Sequence, residues 1–257
     1  MKKIFYFAAV AVSAMALSSC ESFLDTTNYW SKTTEDFPAN QADAEQILTG
    51  IYNNLNVSIG NNVHQNHFLW SIAASDDCLG GGGANDQAMQ AHDLLMNFGA
   101  NLYEAFYKDR YTGIARANVA IETFANCGLD EATLNQYLGE AYFLRAWYYY
   151  ELASMFGNIP CPVTSAADAT QPQISGEALW GQILQDAKTA ADIMPSTVID
   201  RGNGHVDKYC AQALLGRAYL FYSGFYGDEE VTLPNGETLT KADVQAAITD
   251  CVNNSGY

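Results

Sequence analysis

The chain has 257 residues and a formal charge of −17 at pH 7, with 12 Lys and Arg against 29 Asp and Glu. So acidic a surface repels phosphate backbones and argues against nucleic-acid binding. The length is enough for one sizeable core or two small domains.

The first element is MKKIFYFAAVAVSAMALSSC. Lys2 and Lys3 form a positive start, and Ile4 to Leu17 is an uncharged, mostly apolar run of 14 residues. A membrane-spanning helix takes roughly 20 residues, so this run is too short to span and fits a secretion signal. It closes with Leu17-Ser18-Ser19-Cys20, the lipobox pattern of bacterial lipoproteins. The small side chains admit a peptidase, and the thiol takes the diacylglycerol. An ordinary signal peptide with a chance Cys is the plainer alternative. The order of the three parts favours residues 1–19 as signal and Cys20 as the lipidated mature N-terminus. Each buried CH₂ of the lipid contributes about 0.8 kcal/mol to membrane anchoring. Losing 19 of the 257 residues leaves 238 and moves the charge from −17 to −19.

Residues 21–40 are polar with scattered aromatics and read as an extended leader lying against the body. Ala42 to Leu55 has helical spacing in Ala44, Ile47, Leu48, Ile51 and Leu55, with Asn40 or Asp43 as cap. His64 to Ala74 is a second short apolar segment. Ser75 to Asn85 holds four consecutive glycines and reads as a loop. Longer helices follow at Leu102 to Phe124 and Glu131 to Phe156. A polar stretch at 164–176 precedes a helix from Glu177 to Met194, which Pro195 stops. Asp207 to Tyr226 is another helix. Asn235-Gly236 marks Thr232 to Leu239 as a turn or small hairpin. Lys241 to Val252 reads as a last helix, cut short by the end of the chain. No stretch alternates apolar and polar for long, so the fold is mainly α.

Leu138-Gly139-x-x-Tyr142 recurs as Leu215-Gly216-x-x-Tyr219. That spacing belongs to the first helix of a tetratricopeptide repeat, where Gly lets the partner helix close in. It predicts tetratricopeptide-like helix pairs with long loops. The helix at 131–156 carries the aromatics Tyr142, Phe143, Trp147, Tyr148, Tyr149, Tyr150 and Phe156. It is apolar nearly all round, which predicts enclosure by neighbours on several sides. Glu140 and Arg145 are five apart, so they answer to other helices or backbone rather than to each other.

Several of these pieces together resemble one family. Glu140-Ala141-x-Phe143-Leu144-Arg145-Ala146, then Tyr149-Tyr150-x-Leu152, then Gly157-Asn158-Ile159-Pro160 look like the central signature of the RagB/SusD family. Cys20 with Phe23-Leu24-Asp25, Ser75-Asp76-Asp77, Tyr111-x-x-Ile114-x-x-x-Asn118, Trp180 to Pro195 and Lys208 to Tyr222 agree in order. The resemblance covers nearly all of the mature chain. It implies a non-enzymatic, surface-exposed outer-membrane lipoprotein that binds glycan or peptide and passes it to a TonB-dependent, SusC-like transporter. Members are usually far longer, so residues 20–257 are expected to be the N-terminal segment of such a protein.

Sugar binding suits aromatic faces flanked by amides and carboxylates. The resemblance places ligand contacts near the glycine loop, which makes Trp70, Asn85, Asp86 and Gln87 the candidates. Against this, Trp70 sits among Phe68, Leu69 and Ile72 as a core residue would. Asn85 and Asp86 are equally suited to capping a helix at 86–96. The glycine run lacks the Lys-Ser/Thr of a phosphate loop. Asp76, Asp77 and Asp86 miss calcium-loop spacing, and His64-x-x-His67 lacks partners. The five later cysteines, Cys78, Cys127, Cys161, Cys210 and Cys251, hold no C-x-x-C pair, so no metal or cofactor is implied. Their odd number leaves one thiol unpaired or paired between chains, and Cys210 reads as a small core residue. Two other readings stay open: a helical-repeat adaptor that binds only protein, and a glycan-cleaving hydrolase.

Overall fold

Six α-helices and one short hairpin stand out in a computed structural model that describes residues 37–57, 75, 104–168, 170–196 and 204–257. All of them lie in one unit, Pro38–Tyr257. The helices are α1 (Gln41–Val57), α2 (Glu104–Thr123), α3 (Glu131–Phe156), α4 (Gly176–Ile193), α5 (Lys208–Tyr226) and α6 (Lys241–Asn254). Strands β1 (Glu230–Thr232) and β2 (Thr238–Thr240) pair antiparallel between α5 and α6, with Val231 opposite Leu239. The mainly α reading therefore holds. The earlier segments at 21–36, 64–74 and 86–96 lie outside the described residues.

Local chemistry sets the helix ends. Asn40 Oδ1 accepts from the Asp43 N–H at 3.1 Å, so of the two candidates Asn40 caps α1, while Asp43, inside the first turn, accepts from the preceding Ala39 N–H at 3.0 Å. Asp130 caps α3 through Thr133, and Asp207 caps α5 through Cys210. Thr240 and Asp243 form a reciprocal capping box on α6. α5 stops at Gly227, whose left-handed φ of 81° favours glycine. Met194 falls just outside α4 in extended conformation, because Pro195 disfavours a helical residue before it. α6 runs to Asn254, two residues beyond the predicted end and three before the last residue.

The helices pack in chain order, α1 on α2, α3 on α4, α5 on α6, with α2 also on α3 and α4 on α5. The leading helices of successive pairs also touch, α1 with α3 and α3 with α5. The repeated glycines explain the pairing. A Cβ on Gly139 would sit 2.2 Å from Met194 Cγ at the end of α4. A Cβ on Gly216 would sit 2.5 Å from Ile248 Cδ1 of α6. Each glycine thus faces the second helix of its own pair, as the repeat predicts. The hairpin closes over α4: the Thr232 N–H donates to Glu177 Oε1 at 2.8 Å, and Val231, Leu233 and Leu239 are buried.

Two glycines in the helices should respond oppositely to alanine. At Gly181 a Cβ would lie 2.7 Å from the Thr232 carbonyl oxygen, so Gly181→Ala must push the hairpin away and lose about 1–3 kcal/mol. At Gly224 nothing lies within 4 Å, so Gly224→Ala should gain about 0.5–1 kcal/mol. Urea unfolding checks both signs. A second prediction concerns acid. Hydrogen bonds from Gln212, Asn254 and Lys208 hold the Asp250 carboxyl below its ordinary value. Bonds to Thr240 and Thr133 do the same for Asp243 and Asp130. Their folded values lie below the unfolded ones, so their stabilisation is present above about pH 4 and is lost as pH falls toward the lower folded values. In urea titrations from neutral to acid pH, Asp250→Asn should flatten that decline; an unchanged slope would refute the linkage.

Candidate functional site

α3 is the helix around which the functional signature is written, and its buried charges are all paired. Tyr148, Tyr149 and Leu152 are fully buried, while Tyr142 is half-buried. The Tyr148 hydroxyl donates to the Ile51 carbonyl and the Tyr149 hydroxyl to the Pro162 carbonyl, each at 2.6 Å. Burial pushes both phenols up, so they remain protonated donors.

Three charged side chains buried on α3 are each answered from elsewhere. Arg145 meets Asp186 of α4 twice, Nε to Oδ2 and Nη2 to Oδ1, both at 2.7 Å. Its Nη1 donates to Asn118 Oδ1 at 2.8 Å and to the Val163 carbonyl at 3.2 Å. Asn118 in turn donates to the carbonyls of Pro162 and Thr164, both at 3.0 Å. The Tyr111 hydroxyl donates to the Pro160 carbonyl at 2.5 Å. Glu151 pairs with Arg110 of α2 at 2.5 Å, and Arg110 lies 4.6 Å from the Phe106 ring centre. Glu140, 1% exposed, accepts from the Tyr52 hydroxyl of α1 at 2.6 Å and from Gln136 Nε2 at 2.8 Å. His205 Nδ1 lies 2.6 Å from the same carboxylate. The Val206 N–H donates back to the Tyr52 oxygen at 3.0 Å, and Gln136 donates to the Val206 carbonyl at 3.0 Å. This knot fastens the segment before α5 to α1 and α3. Burial and the Glu140 charge together hold the Tyr52 phenol protonated.

Aromatic rings complete the joint. Phe143, Trp147 and Tyr150 of α3 run in sequence to Trp180 of α4 and Phe221 of α5. Trp180 and Phe221 stack with centres 4.7 Å apart and planes at 16°. Phe225 extends the stack to the surface, where it is 73% exposed. The Gly157–Pro160 part of the signature is a loop held by an isolated bridge between Ile159 and Ile174 and by the donors named above. Burial pushes the Cys161 thiol up to about 12, so it is no nucleophile near neutral pH. Cys127, Cys161, Cys210 and Cys251 are all free thiols, and Cys210 is half-buried at the edge of the core.

The signature is therefore structural: it builds and fastens helix pairs. The expected ligand contacts Trp70, Asn85, Asp86 and Gln87, the lipidation site Cys20, and His64, His67, Asp76, Asp77 and Cys78 lie outside the described residues. Among the described residues no group of three or more His, Cys, Asp and Glu could hold a metal ion. No described helix is long and apolar enough to cross a membrane. Sequence reasoning missed the Glu140 knot, because Tyr52 and His205 are far from it in the chain and no spacing rule links them.

Residues 22–221 match the SusD-like family described as starch-binding associating with outer membrane. The chain belongs to the SusD-like family. A SusD-like protein from Formosa agariphila is 28% identical over 190 residues, 70% of this chain and 35% of its own. A solved laminarin-binding SusD-like protein is 28% identical with a TM-score of 0.60, covering 72% of this chain and 41% of its own. Surface glycan-binding protein A from Bacteroides fluxus is 30% identical with a TM-score of 0.61, covering 73% and 41%. This chain thus spans less than half the length of the relatives it matches. In the SusD-like fold the signature Arg145 carries the test. Asp186→Ala leaves a buried guanidinium unpaired and should cost about 3–5 kcal/mol. Arg145→Met with Asp186→Leu should recover much of that loss. In the double variant, which removes the guanidinium, hydrogen exchange should quicken at 159–164, where the loop has lost a donor; unchanged exchange there would show that Arg145 does not hold it.

Proposed function

We propose that this SusD-like chain is part of a surface glycan-binding protein that captures oligosaccharide and delivers it to a TonB-dependent, SusC-like outer-membrane transporter. The observation that carries the reading is the family match across 200 residues, joined by two relatives at 28% and 30% identity named for laminarin and surface glycan binding. Those relatives are named as binders rather than enzymes, which supports a non-catalytic role. Lipid on Cys20, after removal of residues 1–19, tethers the body to the outer membrane, and residues 20–257 supply the N-terminal helix-pair segment. Ligand contacts fall to Trp70, whose face suits a sugar ring, and to Asn85, Asp86 and Gln87, whose amides and carboxylate suit its hydroxyls.

The paired helices support this assignment of labour. Every buried charge on α3 is spent on another helix or on the loop that follows, so recognition falls to side chains elsewhere. Isothermal titration with laminari-oligosaccharides and malto-oligosaccharides tests the reading. Heat is expected with at least one series, and Trp70→Ala should weaken it about tenfold, the scale of one aromatic contact. No heat with any neutral glycan would overturn it. Cys20→Ser should move the protein from the membrane fraction to the soluble one.

A further inference from the structure

One histidine sits where the leading helices of the pairs are tied together. His205 lies just before α5, and its side chain is 40% exposed. Its Nδ1 stands 2.6 Å from Glu140 Oε2 of α3, a carboxylate only 1% exposed. The imidazole also meets the Tyr52 ring of α1 edge-on, with ring centres 5.0 Å apart.

Glu140 acts as an acceptor toward Tyr52, Gln136 and His205, so the hydrogen in the His205 contact sits on Nδ1. The grip on the chain itself runs through Val206. Its N–H donates to the Tyr52 oxygen and its carbonyl accepts from Gln136, both at 3.0 Å. Tyr52 and Gln136 are in turn oriented by their own donation to Glu140. Asp207, the next residue, caps α5. One buried carboxylate therefore joins α1, α3 and the entry to α5.

The two protonation states of His205 hold that carboxylate unequally. The neutral ring makes an ordinary hydrogen bond through Nδ1. The imidazolium makes a charge-assisted one to a carboxylate screened from water. The exposed side of the ring trades its proton with solvent while Glu140 stays buried. Among the described residues, the other titratable groups around this knot are Glu45 and Tyr52 of α1, Tyr137 of α3, and Asp207, Lys208 and Cys210 at the start of α5. Asp207 takes the Tyr257 hydroxyl, and Lys208 pairs with Asp250. Burial pushes the Tyr52 and Tyr137 phenols and the Cys210 thiol up, away from neutral pH. Histidine is the side chain whose ordinary value falls between pH 5 and 8.

We propose that His205 is a proton-operated clasp that holds the segment before α5 against α1 and α3 and loosens as pH rises. The closed clasp favours the charged ring, which raises the His205 midpoint above its value in the open segment. The clasp is therefore at full strength below the ordinary histidine value of about 6.5 and weakens as pH climbs through the higher closed-state midpoint.

NMR on the chain from residue 20 to 257, between about pH 5 and pH 9, tests this. The His205 ring signal, assigned through its backbone, should titrate with a midpoint above about 6.5. Protection of the Val206 amide, corrected for the intrinsic pH dependence of exchange, should fall about five- to tenfold along the same midpoint, the difference between a charge-assisted and a neutral hydrogen bond. His205→Gln keeps an N–H donor but takes up no proton, so its Val206 protection should not change with pH. A midpoint at or below about 6.5, or Val206 protection that is flat with pH in the unaltered chain, overturns the clasp. An equal fall in His205→Gln, with its helices intact by circular dichroism, assigns the titration to another group and overturns it too. The two measurements on the unaltered chain decide the matter even where the variant fails to fold.

Discussion

The buried pair of Arg145 and Asp186 is the contact on which the rest of the helical body depends. Taking two charges out of water is costly, and the pair is tolerable only because every requirement is met at once. Two parallel hydrogen bonds fix the guanidinium against α4. Gln182 adds a donor to the carboxylate at 2.9 Å. The remaining guanidinium nitrogen reaches Asn118 of α2 and the loop carbonyl of Val163. One side chain on α3 therefore sets the positions of α2, α4 and the loop between α3 and α4. An apolar pair could fill the same space, but it could not hold a loop carbonyl. The Gly-Asn-Ile-Pro segment needs donors from outside itself, since Pro160 and Pro162 bring none of their own.

Around that centre the aromatic residues have a double use. Their rings fill the joints between helices, and their hydroxyls reach backbone carbonyls, those met by Tyr149 and Tyr111 in the loop after α3 and that met by Tyr148 inside α1. Tyr148, Tyr149 and Tyr111 each reach a carbonyl on a neighbouring segment. This resolves what a run of Trp and three Tyr does in one helix. Phe in their place would fill the volume but remove these donors, and for the Pro160 carbonyl it would remove the tyrosine hydroxyl that holds it. The repeated Leu-Gly-x-x-Tyr works by the opposite means, removing a side chain so that the paired helix can approach.

The buried charges of α3 are consumed by packing, each by a partner on another helix. The ion pairs where α4, α5 and α6 meet differ from the α3 joints in their exposure. Lys188 with Asp192 and Lys208 with Asp250 are partly exposed, whereas the pairs of Arg110 with Glu151 and Arg145 with Asp186 are buried.

Helix positions were legible from the sequence because apolar spacing and caps are local properties. The helix read at about Glu131 to Phe156 has those ends in the structure, where Asp130 caps its start and Gly157 follows its last turn. The Asn235-Gly236 hairpin and the glycine-led pairing of α3 with α4 and α5 with α6 were legible for the same reason. The family resemblance was carried by contiguous residues and needed no coordinates. Which side chains meet across the chain was a different matter. Arg145 with Asp186, Glu140 with Tyr52 and His205, and Gln212 with Asp250 are joined only when segments far apart in sequence are packed. Sequence periodicity records which face of a helix is buried, but not which neighbour buries it. That choice belongs to the tertiary structure, where volume, charge and hydrogen bonding must be satisfied together.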